Sequence, residues 1–196
     1  MGTYRYGKYV RKLVDDYCVL DLETTGLEPE WCEIIEIAIL RVRGGRVVDH
    51  YQTLVKPEQK ISRFITDLTG ITNEMVADAP KVAEVIGPAR QFIGDDLIVG
   101  HNVSFDLRFF CMALGRDLDN EYADTMQLSR RAYPELRHHR LQDLKDYLGI
   151  VSVAHRAESD CESTAQLYER IKKKQTEQAA GHQGLSCKGN GKNTPL

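Results

Sequence analysis

Residues 17–26 read Tyr17-Cys18-Val19-Leu20-Asp21-Leu22-Glu23-Thr24-Thr25-Gly26, and this stretch decides the fold class. Its apolar, β-branched opening predicts a strand, and Thr24-Thr25-Gly26 is a turn signal that ends it. Side chains alternate along a strand, so Tyr17, Val19, Asp21 and Glu23 share one face. Two carboxylates then project side by side from the end of a buried segment. Like charges so placed repel, and burial makes this worse unless a cation neutralises them. Hard divalent cations with oxygen ligands meet that need, Mg²⁺ and Mn²⁺ above all. The bland alternative is a strand end emerging into solvent, where acids are common.

Working outward, a long strand from Ile34 to Arg43 closes on Gly44-Gly45 and leads into Arg46 to Val55. This is a hairpin with a two-glycine turn, so three antiparallel strands open the domain. Residues 56–79 read as an irregular connection with short helical turns. From Pro80, the residues Val82, Val85, Ile86, Ala89 and Phe92-Ile93 fall at helical spacing. A short buried strand, Leu97 to Val99, runs into Gly100-His101-Asn102. A helix over residues 104–114 buries Phe105, Phe109, Met112 and Ala113. A strand at 122–125, helices at 125–132 and 141–148, and a last helix over 157–173 complete the pattern. Strands first, then strands alternating with helices, give an α/β fold with a mixed sheet flanked by helices.

A chain of 196 residues holds one domain with a substantial core and is too short for two comfortable ones. The expected division is an N-terminal extension over 1–13, a folded domain over 14–173 and a disordered polar tail over 174–196. The net charge of -3 excludes a wholly basic coating protein but not an enzyme with acidic ligands in one cleft and basic residues around it. No apolar run approaches a membrane span, and residues 1–16 lack the apolar stretch of a signal peptide. The five cysteines are irregularly spaced with no CxxC pair, which points to reduced core residues and a cytoplasmic setting.

Three further residues draw attention. Asp106, in His101-Asn102-Val103-Ser104-Phe105-Asp106, falls in the first turn of a helix, where a carboxylate gains from the dipole. Asn102 or Ser104 could cap that helix, and His101 reads as a satisfied loop histidine. Asp160 lies on the edge of the inward face of the last helix, in a row with Thr164, Leu167 and Ile171. A metal or an internal salt bridge would answer its burial equally well. His155 precedes that helix in a loop from which it could swing over the same site. Its ordinary pKa near 6.5 suits it to accept a proton from water.

Taken together, these segments resemble the DEDDh exonucleases, the family of proofreading epsilon subunits and of RNase T. The first motif is Asp21-Leu22-Glu23-Thr24-Thr25-Gly26-Leu27 and the second is the segment from His101 to Asp106. The third is His155-Arg156-Ala157-Glu158-Ser159-Asp160. The resemblance implies an RNase H-like fold with a central mixed five-stranded sheet. It implies a catalytic set of Asp21, Glu23, Asp106, His155 and Asp160, the four acids holding two divalent cations, Mg²⁺ or Mn²⁺, and His155 serving as general base. Thr24, Thr25, Gly26 and Leu27, with His101, Asn102 and Phe105, would receive the terminal nucleotide, although Phe105 fits a core position as well. The implied reaction is 3′→5′ hydrolysis of single-stranded DNA or RNA to nucleoside 5′-monophosphates, alone or beside a polymerase or repair complex, and away from membranes. Basic residues, Arg130, Arg131, Arg137 and Arg140, could meet phosphates. The N-terminal Tyr4-Arg5-Tyr6, Lys8-Tyr9 and Arg11-Lys12 mix charge with aromatic faces, as single-strand binders do, but a solvated amphipathic extension accounts for them better. The rival readings are a silent binding module of the same fold and a phosphohydrolase acting on small nucleotides.

Overall fold

The computed structural model describes residues 4–151 and 156–185. The N-terminal part forms Tyr6–Tyr9 (β1), Tyr17–Thr24 (β2), Ile34–Arg43 (β3) and Arg46–Leu54 (β4). Then come Arg63–Thr69 (α1), Val82–Ile93 (α2), Ile98–Gly100 (β5), Ser104–Leu114 (α3) and Leu118–Asp124 (β6). Thr125–Ala132 (α4), Leu141–Leu148 (α5) and Ala157–Leu185 (α6) close the described chain.

The strands form one mixed sheet in the order β1-β6-β5-β2-β3-β4. β2, β3 and β4 pair antiparallel, as the hairpin pattern predicts, with Gly44 and Gly45 at φ 57° and 71° in the turn. β5 pairs parallel with β2, and β6 parallel with β5, so β5 and β2 sit at the centre. That order matters because parallel strands end together, and helices leaving their carboxyl ends converge on one crevice.

Two expectations are corrected. The sheet has six strands rather than five, because Tyr6–Tyr9 pairs parallel with β6 along the open edge. The segment expected to be a solvated extension is therefore part of the sheet. Gly7 makes this approach feasible: its φ is 92°, and a Cβ there would lie 2.1 Å from the Asn120 carbonyl oxygen. Residues 174–185, expected to be disordered, continue α6. Residues 186–196 lie outside the described part.

The alternation of β2 and β3 sorts the core into two layers. Tyr17 and Val19 of β2, with Ala38, Leu40 and Val42 of β3, pack under α4, α5 and α6 through Leu128, Leu144, Cys161, Leu167, Tyr168 and Ile171. Tyr17 meets Tyr168 edge-on at 4.7 Å. On the opposite face, Cys18, Leu20, Ile37 and Ile39 pack against α2 and α3 through Ile86, Ala89, Leu107 and Phe110. Each fully buried aliphatic or aromatic side chain contributes about 1.5–3 kcal/mol of transfer free energy. The two layers thus clamp β2 from both sides and fix the direction in which its last residues point.

Candidate active site

Asp21 and Glu23 continue the face of Tyr17 and Val19, so the packing that buries those residues aims both carboxylates towards α6. α6 returns Asp160 from its first turn. Carboxylate oxygens of Asp21, Glu23 and Asp160 lie within 4.8 Å of one another. Asp106 comes from the start of α3 and is buried, and its Oδ1 accepts the Leu22 amide of β2 at 3.0 Å. Four acids from three separate segments are thereby gathered at the carboxyl end of one strand.

The electrostatics show what such a cluster costs. Burial first, and then the charges of Asp106, Glu23, Asp160 and Glu36, push the Asp21 carboxyl well above the usual range. Burial also raises Asp106, against the pull of the Leu22 amide and its own, while Glu23 and Asp124 push it further. Glu23 is pushed up to about 8, by burial and then by Asp160 and Glu36, with Arg156 opposing. Oxygen donors this close, each disfavouring the ionisation of the next, fit a hard divalent cation. Asp160 also has Lys145 Nζ at 3.7 Å, and both side chains are largely covered. Of the metal and the salt bridge that would answer its burial, the salt bridge is present, and Asp160 also stands within the acid cluster.

A second polar assembly supports the first. Glu36 stands opposite Glu23 in the β2–β3 register and is fully buried. Its Oε1 accepts Arg156 Nη2 at 2.6 Å and its Oε2 accepts Arg156 Nε at 3.0 Å. Gln52 Nε2 donates to Oε1 at 2.9 Å, and the Ala157 amide to Oε2 at 3.3 Å. The Arg156 carbonyl in turn accepts the Asp160 amide at 3.0 Å. The entry to α6, and with it Asp160, is therefore anchored on β3 by a forked, charge-assisted pair.

The loop after β2 is held just as firmly. The Thr25 amide donates to the Glu33 carbonyl at 2.8 Å, and Thr25 Oγ1 accepts the Glu33 amide at 2.9 Å. Thr24 Oγ1 donates to the Gly26 carbonyl at 2.7 Å. A Cβ on Gly26 would lie 2.6 Å from Cys32 Sγ, so a larger residue there would require the Cys32 side chain to move. Leu27 stands largely exposed beyond it.

The remaining candidates divide. His101 Nδ1 lies 3.0 Å from Thr125 Oγ1, and burial lowers its pKa, so it is held as part of the framework. Asn102 takes φ 59°, and its amide donates to Asp124 Oδ1 at 3.1 Å. No side chain caps α3, so neither Asn102 nor Ser104 performs that task. Phe105 packs on Phe109 at 5.0 Å against the core and is only partly covered. His155 lies outside the described residues.

Glu36, Lys145 and Arg156 were not singled out from the sequence, yet Glu36 and Lys145 each had a signal. Glu36 is a lone acid inside the apolar run Ile34-Ile35-Glu36-Ile37, on the face it shares with Ala38 and Leu40. Lys145 falls four residues after Leu141 and three before Leu148, on the inward side of its helix. A charge on a buried face needs a partner, and the third motif supplies both, Arg156 for Glu36 and Asp160 for Lys145.

This sheet order and carboxylate cluster define an RNase H-like nuclease scaffold. The exonuclease family model RNase T matches residues 18–168, and the chain belongs to that exonuclease family. It is 42% identical over 159 residues to the PolC-type DNA polymerase III of Bacillus subtilis (strain 168), covering 78% of this chain and 11% of that relative. It is 41% identical over 167 residues to the PolC-type enzyme of Latilactobacillus sakei subsp. sakei (strain 23K), covering 83% and 12%. The chain thus spans only about an eighth of the length of these relatives. Among solved structures, Exonuclease X in complex with 5′ overhanging duplex DNA superposes with a TM-score of 0.68 at 31% identity. That match covers 80% of this chain and 91% of the other. E. coli Exonuclease I with a dT13 oligonucleotide shares the fold, with a TM-score of 0.74 at 21% identity over 85% of this chain and 43% of that one. Among the described residues no helix is long and apolar enough to cross a membrane.

Proposed function

We propose that this chain is a metal-dependent 3′→5′ exonuclease that removes nucleoside 5′-monophosphates one at a time from the 3′ end of single-stranded DNA. The observation that carries this reading is the convergence of Asp21, Glu23 and Asp160 within 4.8 Å, beside the buried Asp106. These four acids would hold two divalent cations, Mg²⁺ or Mn²⁺. Bound there, the cations supply positive charge that acidifies water and stabilises the leaving 3′ oxygen during in-line displacement at phosphorus.

The chain's own residues do the rest. His155, immediately before the anchored Arg156, takes the proton of the attacking water as general base. Lys145 and the Glu36–Arg156 pair keep Asp160 in place. The pinned loop Thr24-Thr25-Gly26 offers a rigid backbone to the terminal nucleotide, and Leu27 offers an apolar face to its base. His101, Asn102 and Phe105 shape the opposite wall.

DNA as the substrate is supported by relatives that are DNA polymerases and by solved relatives bound to DNA. A polymerase or repair complex is the partner this reading implies. The functional unit runs from β1 through α6, and a cytoplasmic setting fits the described cysteines, which are free and mostly buried. Product analysis tests the chemistry. Incubation of single-stranded DNA and RNA of one sequence with Mg²⁺, Mn²⁺ or chelator is expected to yield mononucleotides carrying a 5′ phosphate, only with metal and faster from DNA. Nucleoside 3′-monophosphates, or turnover in chelator, would refute it, and a faster RNA arm would assign the chain to RNA trimming.

A further inference from the structure

The edge strand β1 brings together two basic, aromatic segments that lie over a hundred residues apart in sequence. Tyr9 and Arg11 from the N-terminal segment meet Tyr122, at the end of β6, and Gln127 and Arg131 of α4. Together with Ser104, the first residue of α3, they line a crevice of about 320 Å³. The Tyr9 and Tyr122 rings lie 5.7 Å apart, and Tyr6 stands 6.1 Å from Tyr122 on the other side. The crevice opens at the carboxyl end of the parallel strands, and Ser104 precedes Asp106 by two residues on the same helix. Asp124, which lines the crevice, also acts on the Asp106 carboxyl, so the crevice lies beside the acid cluster.

Two of its lining residues are arginines. Asp124 also lines it, but Asp124 Oδ1 accepts the amides of Asn102, Met126 and Gln127 and is committed to the framework. Other basic side chains are already engaged: Lys145 with Asp160, Arg156 with Glu36, Arg108 with Glu28. Among the described residues, Arg11 and Arg131 have no acidic partner within ion-pair distance, and both are exposed. A polyanion drawn towards four carboxylates needs compensating charge close by, and these two arginines offer it beside two aromatic rings.

We infer that this crevice is a second nucleic-acid subsite. It takes a phosphodiester of the single strand upstream of the 3′-terminal nucleotide on Arg11 and Arg131, with a base against Tyr9 or Tyr122. The combination of basic groups and aromatic faces is what a strand bound without sequence preference requires. The inference rests on the proposed exonuclease reading, and it makes the N-terminal strand part of substrate binding.

The test compares the full chain with Arg11→Gln, Arg131→Gln and the double variant, on a dinucleotide and a dodecanucleotide of DNA. Binding is followed in Ca²⁺ at several salt concentrations and turnover in Mg²⁺. Arg11 lies beyond the paired residues of β1 and Arg131 on the outer side of α4, so melting temperatures serve as the folding control for two independent elements. The double variant is expected to bind the dodecanucleotide about tenfold more weakly, with a salt slope shallower by about 0.7, the value for one lost phosphate contact on a single strand. The preference for the longer substrate should fall by a similar factor, each single variant should give part of the loss, and lysine at either position should restore most of it. Equal losses on both substrates, or an unchanged salt slope, would overturn the subsite. Absence of metal-dependent shortening in the unaltered chain would instead overturn the exonuclease reading itself.

Discussion

Asp21→Asn is expected to reduce turnover by at least about a thousandfold while making the metal-free protein more stable, not less. The substitution preserves shape and removes the charge on which Asp106, Glu23, Asp160 and Glu36 all act. Its sign follows from proton linkage. A carboxyl whose pKa is raised on folding holds its proton in the folded state where the unfolded chain has lost it. Stability then falls as pH rises between the two values. For Glu23 that window runs from its ordinary 4.5 to about 8, and Asp21 and Asp106 are shifted in the same direction. Chelated wild-type protein should therefore melt at progressively lower temperature as pH is raised from about 5 to 8, and added Mg²⁺ should reverse the loss. In Asp21→Asn the decline should be shallower and the Mg²⁺ effect largely gone. Wild-type turnover in this variant, or a chelated melting temperature that rises over the same pH range, would remove the carboxylate cluster as the centre of the enzyme.

The second large effect is expected at a residue with no metal role. Glu36→Ala leaves the Arg156 guanidinium without its forked partner and the Ala157 amide without its acceptor, inside the layer that holds α6. Breaking a buried pair from one side costs about 3–5 kcal/mol, and the lower end applies because a third of the Arg156 side chain is exposed. Since the Asp160 amide hangs on the Arg156 carbonyl, turnover should fall by one to two orders of magnitude, roughly the scale seen when a supporting partner of a metal ligand is lost. The Mn²⁺ concentration needed for half-maximal rate should rise, a change that loss of stability alone would not produce. Glu36→Gln keeps an oxygen for Arg156 and should fall between the two proteins. Denaturant unfolding and a Mn²⁺ titration of the rate check both parts. An unchanged Mn²⁺ requirement in folded Glu36→Ala would confine Glu36 to the scaffold.

Much of this arrangement is legible in the chain. The alternation through Tyr17, Val19, Asp21 and Glu23 sets the face of the acids, and α3, α4 and α5 occupy the residues their periodicity marks. The elements that escaped are those whose stability comes from partners rather than from pattern. β1 is four residues at an open edge with no apolar alternation, and only pairing with β6 makes it a strand. The continuation of α6 past residue 173 carries no periodic apolar face, so helical propensity and continuity with the packed turns before it carry the chain on to Leu185. Pairing also explains the missed polar residues. Glu36 and Arg156 lie 120 positions apart, and nothing local to either foretells the other. The crevice at Arg11 and Arg131 went unread for the same reason, since it exists only once β1 is in the sheet.

The most direct measurement follows single-stranded DNA labelled at either its 5′ or its 3′ end, with Mg²⁺ or chelator, for wild type and Asp21→Asn. A ladder of 5′-labelled strands shortening from the far end is predicted, together with immediate release of the 3′ label as mononucleotide, both requiring Mg²⁺ and both absent in Asp21→Asn. Release of the 5′ label first, internal cuts, or shortening that survives loss of Asp21 would contradict it.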